Sequence, residues 1–91
     1  MSIQWLFEVI EDRKNNPSEN SYTSRLLADG LPKIAQKVGE EATEVVVAAL
    51  AQDDQRLIEE VADLTYHTLV LLAARGLSPA LIFTELENRH K

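Results

Sequence analysis

Acidic residues recur at helical spacing in two stretches of the chain. The first stretch holds Glu40, Glu41 and Glu44, and the second holds Glu60 and Asp63. Residues three or four apart lie on one side of a helix, so each stretch would present its carboxylates together. Carboxylates that share a site repel one another unless protons or a cation neutralise them. A cluster of oxygen ligands without sulfur or imidazole favours a hard cation such as Mg²⁺, which can activate a bound water as a nucleophile.

A solvated acidic surface is the alternative interpretation, because Glu is a good helix former and is common on protein surfaces. Salt bridges within the helix would support that alternative. The positions four residues after Glu41 and Glu44 are Val45 and Ala48, so ion pairs in that direction do not explain these acids. The acidic stretches therefore remain candidates for metal-ion chemistry.

Helices must position these acids, since helix signals dominate the chain and no alternating strand pattern is visible. We predict an all-α fold of about five helices, bounded by the Ser, Asp, Pro and Gly residues that start and end helices. Caps are predicted at Ser2, at Ser21 or Thr23, and at Asp53 or Asp54. The first predicted helix covers residues 3–14. The second runs from its cap through Leu26 and Leu27 and is closed by Asp29 and Gly30, and the third covers about residues 32–51. The fourth runs from its cap to Gly76, and the fifth opens at Pro79 and runs toward Lys91.

The third and fourth predicted helices carry the two acidic stretches. Only the segment 52–54 connects them, so they are antiparallel neighbours. A chain reversal there places Glu44 level with Val61 and Glu41 level with Leu64, which brings the two stretches to the same height. If both face the seam, four carboxylates converge, those of Glu41, Glu44, Glu60 and Asp63. The core stripe of the third helix is predicted at Ile34, Ala35, Val38, Ala42, Val45, Val46 and Ala49.

Length and composition indicate one globular domain spanning residues 1–91, with 45% hydrophobic and 26% charged residues. A chain this short without cysteine is marginal alone, so we predict a homodimer in which two long helices from each copy form a four-helix core. The net charge of −6 argues against binding to a nucleic-acid backbone. The longest apolar run, residues 45–51, is too short to span a membrane, and no targeting segment is visible, so we predict a cytoplasmic protein.

The spacing of the acids is similar to a known signature. Glu40-Glu41-x-x-Glu44, followed after fifteen residues by Glu60-x-x-Asp63, resembles the motif of the all-α nucleoside-triphosphate pyrophosphohydrolases, the MazG-like superfamily. This resemblance implies that the carboxylates bind Mg²⁺ within a helical bundle and that the enzyme splits the α–β phosphoanhydride. A pyrophosphohydrolase acting on another nucleotide would share the same motif.

Segments outside the acidic motif narrow the resemblance. Residues 21–27, Gly30, Ile34, residues 37–44 and residues 85–90 resemble the phosphoribosyl-ATP pyrophosphohydrolase family, over nearly the whole chain. The resemblance implies hydrolysis of N1-(5-phosphoribosyl)-ATP to phosphoribosyl-AMP and pyrophosphate, the second step of histidine biosynthesis. A non-catalytic helical dimerisation module, whose acids form only a solvated face, is the alternative from another functional class.

The acidic pattern and the resemblance together suggest roles for individual residues. The Mg²⁺ ligands would be Glu41, Glu44, Glu60 and Asp63, while Glu40 would be a second-metal ligand or a base that orients water. Six residues with hydroxyl or basic side chains are candidates for binding the substrate: Ser21, Tyr22, Thr23, Arg25, Lys37 and Arg89.

Structural roles are the alternative for several of these residues. Ser21 can cap a helix and Tyr22 can pack in the core. Lys37 can pair with the neighbouring acids instead of neutralising the leaving pyrophosphate. The basic end at residues 89–91 can reach phosphates or complement the carboxyl end of a helix. His67, a lone histidine on the acidic side of the fourth helix, is more typical of packing or hydrogen bonding than of metal ligation.

Overall fold

Five helices form the computed structural model, which describes residues 1–90. They span Ile3–Asn15 (α1), Tyr22–Asp29 (α2), Leu31–Ala51 (α3), Asp54–Ala74 (α4) and Pro79–Arg89 (α5). No strand occurs among these residues, so the predicted all-α class and the number of helices are confirmed. Lys91, part of the predicted basic end, lies outside the described residues.

Side-chain caps define where three of the helices begin. Ser2, Ser21 and Asp53 each accept a hydrogen bond from the backbone N–H three residues further on. Such a bond satisfies one of the amide groups that have no partner within the first turn of a helix. Ser21 rather than Thr23 therefore caps α2, and Asp53 rather than Asp54 caps α4.

A glycine turn ends α4 at Ala74, two residues before the predicted end. Gly76 has a φ of 71°, in the left-handed region that favours glycine. The Gly76 N–H donates to the Ala73 carbonyl at 3.1 Å, and the Leu77 N–H donates to the Leu72 carbonyl at 2.9 Å. This pair of bonds is a Schellman motif, which satisfies the last carbonyls of the helix and turns the chain toward α5.

The hydrophobic core lies between α1, α2, α3 and α4. Its buried side chains are Phe7, Ile10, Leu26, Ile34, Leu69, Val70 and Ala73. α3 and α4, joined by the short turn at Gln52 and Asp53, run antiparallel and pack along each other. Lys14 Nζ donates a 2.8 Å hydrogen bond to the carbonyl oxygen of Ala73 and ties the end of α1 to the last turn of α4. The α3–α4 pair is thus the element that positions the acidic residues.

The predicted core stripe of α3 is partly wrong. Ile34 is buried and Val38, Ala42 and Val45 are partly buried, but Ala35, Val46 and Ala49 are exposed. Glu41 and Ala48 are buried in their place. The reason is that α4 packs on one edge of the apolar stripe and on the acidic side of α3 next to it. The other edge of the stripe is therefore not covered by any helix of the same chain.

Further apolar surface lies on α5. Leu81, Ile82, Phe83 and Leu86 are all between 45% and 54% exposed. No single helix among residues 1–90 is long and apolar enough to cross a bilayer, and the one pair that would reach that length together, α4 and α5, is bent by 106°.

Candidate metal centre

The seam between α3 and α4 brings acidic side chains from both helices to one point. One carboxylate oxygen from each of Glu41, Glu60 and Asp63 lies within 4.8 Å of the other two. Glu41 projects from α3, whereas Glu60 and Asp63 project from α4 one turn apart. The short turn between the helices therefore produces the convergence at equal height that the spacing of the acids indicated.

Glu44 lies outside this group of three but belongs to the same electrostatic cluster. Burial raises the pKa of Glu41, and the nearby Glu44 and Asp63 carboxyls raise it further. Contact with the Glu44 carboxyl is the largest cause of the raised pKa of Glu60, followed by burial. Like charges in a poorly hydrated seam favour the protonated form, so the cluster is poised to exchange protons for a cation.

Two of the four acids are buried with unpaired oxygens. Glu41 and Glu60 expose only 6% and 5% of their surface, and the Oε2 atom of each has no hydrogen-bond partner among the described residues. A buried ionised oxygen without a partner costs free energy of at least about 1–3 kcal/mol. A divalent cation would compensate both atoms at once, and an all-oxygen donor set suits Mg²⁺. The residues present therefore fit a magnesium ion.

Basic side chains hold the other oxygens of the buried acids. Arg56 Nη2 lies 2.7 Å from Glu60 Oε1, and Lys37 Nζ lies 3.6 Å from Glu41 Oε1. Arg56 also lines a cavity of about 230 Å³ beside the acids, together with Glu44, Val47, Gln52 and Glu60. Arg56 was not among the site residues predicted from the sequence. Its position four residues before Glu60 was the available signal.

Comparison with known proteins bears on the family of this chain. Residues 4–90 match the family model described as phosphoribosyl-ATP pyrophosphohydrolase. The chain belongs to this family. The phosphoribosyl-ATP pyrophosphatase of Listeria monocytogenes is 60% identical over 84 residues, which cover 92% of this chain and 81% of that protein. Those of Sulfurisphaera tokodaii and Pyrobaculum calidifontis are 52% and 53% identical, each over 98% of this chain and 95% of the relative. The resemblance drawn from the motifs is thus confirmed.

Glu40, the fifth acid of the family-like motif, faces solvent. Gln36 Nε2 donates to its Oε1 at 2.8 Å, and Lys37 Nζ lies 3.4 Å from its Oε2. The Gln36 hydrogen bond is the main cause of its lowered pKa, and Lys37 contributes to it. Glu40 is therefore separate from the convergent acids, and Lys37 makes the ion pairs that were the alternative to a substrate contact.

The Ser-Tyr-Thr segment lies against α4 beside the acids. Ser21 caps α2, and Thr23 Oγ1 forms a hydrogen bond with the hydroxyl of Tyr66. Tyr22 is not packed in the core, because 44% of its surface is exposed, and its hydroxyl lies 3.0 Å from His67 Nε2. The two hydroxyls after the cap thus connect the start of α2 to consecutive residues of α4.

The two candidate arginines lie on the surface and contact other groups. Arg25 Nη1 donates to the Glu19 carbonyl at 3.2 Å, and Arg89 Nε lies 3.0 Å from Glu85 Oε1. Neither contacts the acidic cluster among the described residues. Their assignment to the substrate stays a prediction of the sequence.

The raised pKa values of Glu41 and Glu60 predict how pH affects the metal-free protein. Between the ordinary value of 4.5 and the raised value, the folded state binds more protons than the unfolded state. The free energy of unfolding therefore falls as pH rises through this window. In EDTA, urea unfolding from about pH 4 to about pH 7 should show this fall, and the double variant Glu41→Gln/Glu60→Gln should show less of it. The expectation would be contradicted if the free energies of unfolding of the wild type and the variant differed by the same amount at every pH.

Proposed function

We propose that this protein hydrolyses the α–β phosphoanhydride of N1-(5-phosphoribosyl)-ATP, releasing pyrophosphate and phosphoribosyl-AMP, in the second step of histidine biosynthesis. Membership of the family supports the reaction, as do relatives named phosphoribosyl-ATP pyrophosphatase. The observation that carries the proposal is the convergence of Glu41, Glu60 and Asp63, in which two buried oxygens have no hydrogen-bond partner among residues 1–90. A solvated acidic face would not bury carboxylate oxygens that have no hydrogen-bond partner.

Magnesium is the proposed cofactor, held by Glu41, Glu44, Glu60 and Asp63. When bound, the ion would lower the pKa of a water and stabilise charge on the phosphate oxygens. The protein's part is to hold the four carboxylates in place, with Arg56 fixing one oxygen of Glu60. Glu40, which faces solvent, is the weaker candidate, as a second-metal ligand or a base that orients water.

Substrate contacts are proposed on both sides of the acids. The cavity lined by Glu44 and Arg56 adjoins the acids on one side. On the other side, Lys37 lies near both Tyr22 and Glu41. Burial alone would lower the pKa of Lys37, but the adjacent Tyr22 hydroxyl and the Glu40 and Glu41 carboxylates raise it. Lys37 therefore stays a cation beside the acids, where it can meet a phosphate group. The proposed substrate contacts also include Ser21, Tyr22, Thr23 and the surface arginines.

Replacing Lys37 with Ala should raise KM for phosphoribosyl-ATP by about tenfold, since a hydrogen bond to a charged group is worth about 1.5–3 kcal/mol. Arg25→Ala and Arg89→Ala test the same role for the surface arginines, because the substrate carries a 5′-phosphate that an ordinary nucleotide lacks. Lys33→Ala, on the same helix, is the matched control and should keep the wild-type KM. Unchanged KM and kcat in all three test variants would refute this set of contacts.

A second copy of the chain is proposed to cover the exposed edge of the bundle. Val46, Leu50, Ile58 and Val61 on α3 and α4 are between 43% and 83% exposed. Complete burial of a fully exposed side chain of this size is favourable by roughly 1.5–3 kcal/mol, so covering these partly exposed side chains would each gain a fraction of that free energy. Pairing the two long helices of each copy would complete the four-helix core predicted from the sequence. The cytoplasmic location also stays a prediction of the sequence.

One assay tests the proposed function. The purified full chain is incubated with phosphoribosyl-ATP, and pyrophosphate release is followed with Mg²⁺, with EDTA, and with Mg²⁺ restored. The proposal expects activity that EDTA abolishes and Mg²⁺ recovers, and little activity with ATP. Faster hydrolysis of ATP than of phosphoribosyl-ATP would assign a different nucleotide substrate. No hydrolysis of any nucleotide in saturating Mg²⁺ would overturn the enzymatic function.

A further inference from the structure

His67 is a buried imidazole whose two nitrogens both have partners. It is 6% exposed, and its Nδ1 lies 2.8 Å from the backbone carbonyl oxygen of Asp63. A carbonyl oxygen can only accept a hydrogen bond, so Nδ1 must carry a proton. In the neutral ring the other nitrogen, Nε2, then has a free lone pair and is an acceptor.

Tyr22 supplies the donor for that lone pair. Its hydroxyl lies 3.0 Å from His67 Nε2, although the two residues are 45 positions apart in the chain. The rings of Tyr22 and Tyr66 both meet the imidazole edge-on at 83°, with centroids 6.0 Å and 5.0 Å away. Two aromatic neighbours and two hydrogen bonds leave the imidazole one orientation, and that orientation directs the Tyr22 proton toward α4.

The direction of the Tyr22 proton matters for the acids. Because the hydroxyl proton is used by His67, the oxygen of Tyr22 keeps its lone pairs for a cation or a donor on the other side. Lys37, on α3, is a cation whose Nζ lies 3.6 Å from Glu41 Oε1. Hydrogen bonds thus link the Asp63 carbonyl to His67 and His67 to Tyr22, and an ion pair links Lys37 to Glu41.

We infer that His67 is a positioning residue, which fixes the Tyr22 hydroxyl and the start of α2 beside the converging acids of α3 and α4. Both of its nitrogens are occupied by Asp63 and Tyr22, so neither is available to ligate the proposed metal or to bond to the substrate. This inference rests on the proposed function only for its kinetic consequence. For a neutral ring, the arrangement of protons follows from the contacts themselves.

Two amide variants separate positioning from packing. In His67→Gln the amide reaches the position of Nε2 and can keep the Tyr22 bond, whereas in His67→Asn the amide reaches only the position of Nδ1. We expect His67→Asn to raise KM for phosphoribosyl-ATP by about 3- to 10-fold, with a smaller change in kcat, and His67→Gln to restore most of the loss. Tyr22→Phe should raise KM by a similar factor. The double variant His67→Asn/Tyr22→Phe should be no worse than either single variant, because both remove the same bond.

A purely structural histidine would give another pattern. His67→Asn and His67→Gln would then lower the melting temperature by a similar amount and leave KM unchanged. In double variants, their effect on the melting temperature would add to that of Tyr22→Phe. That pattern in an active enzyme would overturn the inference and leave the function standing. A wild type inactive on phosphoribosyl-ATP would refute the function instead.

Nitrogen NMR tests the inference without any substrate. The chain has two histidines, so ¹⁵N spectra of the His90→Gln variant report on His67 alone. We expect a neutral ring protonated on Nδ1, with an Nε2 resonance that shifts when Tyr22 is replaced by Phe. A ring protonated on Nε2, or an Nε2 resonance that does not respond to Tyr22→Phe, would overturn the inference.

Discussion

Replacing Glu41 or Glu60 with Gln is expected to lower kcat/KM for phosphoribosyl-ATP at least about 100-fold, because a metal ion's charge stabilisation is worth several kcal/mol. Each change neutralises a proposed metal ligand whose Oε2 atom is buried without a hydrogen-bond partner in the described part of the chain. Glu44→Gln and Asp63→Asn should act in the same direction, since both acids contribute to the same cluster. Steady-state pyrophosphate release with saturating Mg²⁺ measures the loss.

The same Gln variants should leave the metal-free protein equally stable or more stable. Neutralising one acid relieves the repulsion that raises the pKa values of Glu41 and Glu60. A Gln carbonyl can still accept from Arg56 or Lys37, so neither base loses its neighbour. The melting temperature in EDTA should therefore stay equal or rise, and Mg²⁺ should raise it less than in the wild type. Lower melting temperatures in EDTA would instead indicate a structural ion-pair network.

Glu59 is the internal control for this experiment. It precedes Glu60 on α4, but it is exposed and bonds to Arg56 and Gln55 at the surface. Glu59→Gln should change kcat/KM less than about twofold and stability within about 0.5 kcal/mol. If Glu59→Gln proves as damaging as Glu60→Gln, the seam is not the reaction centre.

Placing a charge on the exposed edge of α3 and α4 is expected to separate the proposed dimer. In Val46→Glu or Ile58→Glu, a carboxylate would replace a side chain that is more than half exposed in one chain. Burying that charge without a partner costs several kcal/mol, which would weaken the dimer at least about 100-fold. Light scattering after size exclusion at micromolar protein should give the mass of a dimer for the wild type and of a monomer for both variants.

Trp5→Glu provides the matched control for the added charge. Trp5 is 51% exposed on α1, away from the α3–α4 edge. The substitution Trp5→Glu likewise replaces an exposed apolar group with a carboxylate. It should leave the dimer intact. A wild type that is a stable monomer, or a Trp5→Glu variant that dissociates as readily as Val46→Glu, would contradict the proposed interface.

Local sequence determined where the helices begin and at which level along α3 and α4 the acidic residues lie. Ser2, Ser21 and Asp53 begin helices because a side-chain oxygen can satisfy an amide within the same turn, an interaction that needs no distant residue. The short turn after α3 leaves only one antiparallel arrangement, which brings Glu41 level with the acids of α4. The family resemblance of the acidic motif follows from the same local spacing. The single domain and the individual roles of the site residues stay predictions.

Only the tertiary structure decided which side of α3 is covered. The spacing of apolar residues located the apolar stripe of α3, but it does not say which edge of the stripe a neighbouring helix covers. Val46 was therefore predicted in the core, whereas the structure leaves it exposed. The burial of Glu41 Oε2 and Glu60 Oε2 without a partner among the described residues likewise depends on how closely α3 and α4 approach. The bond between Tyr22 and His67 joins residues 45 positions apart, and no spacing rule within one helix can anticipate it. These features arise from packing between helices, since a buried side chain's partners are set by the elements that enclose it and not by its neighbours in sequence.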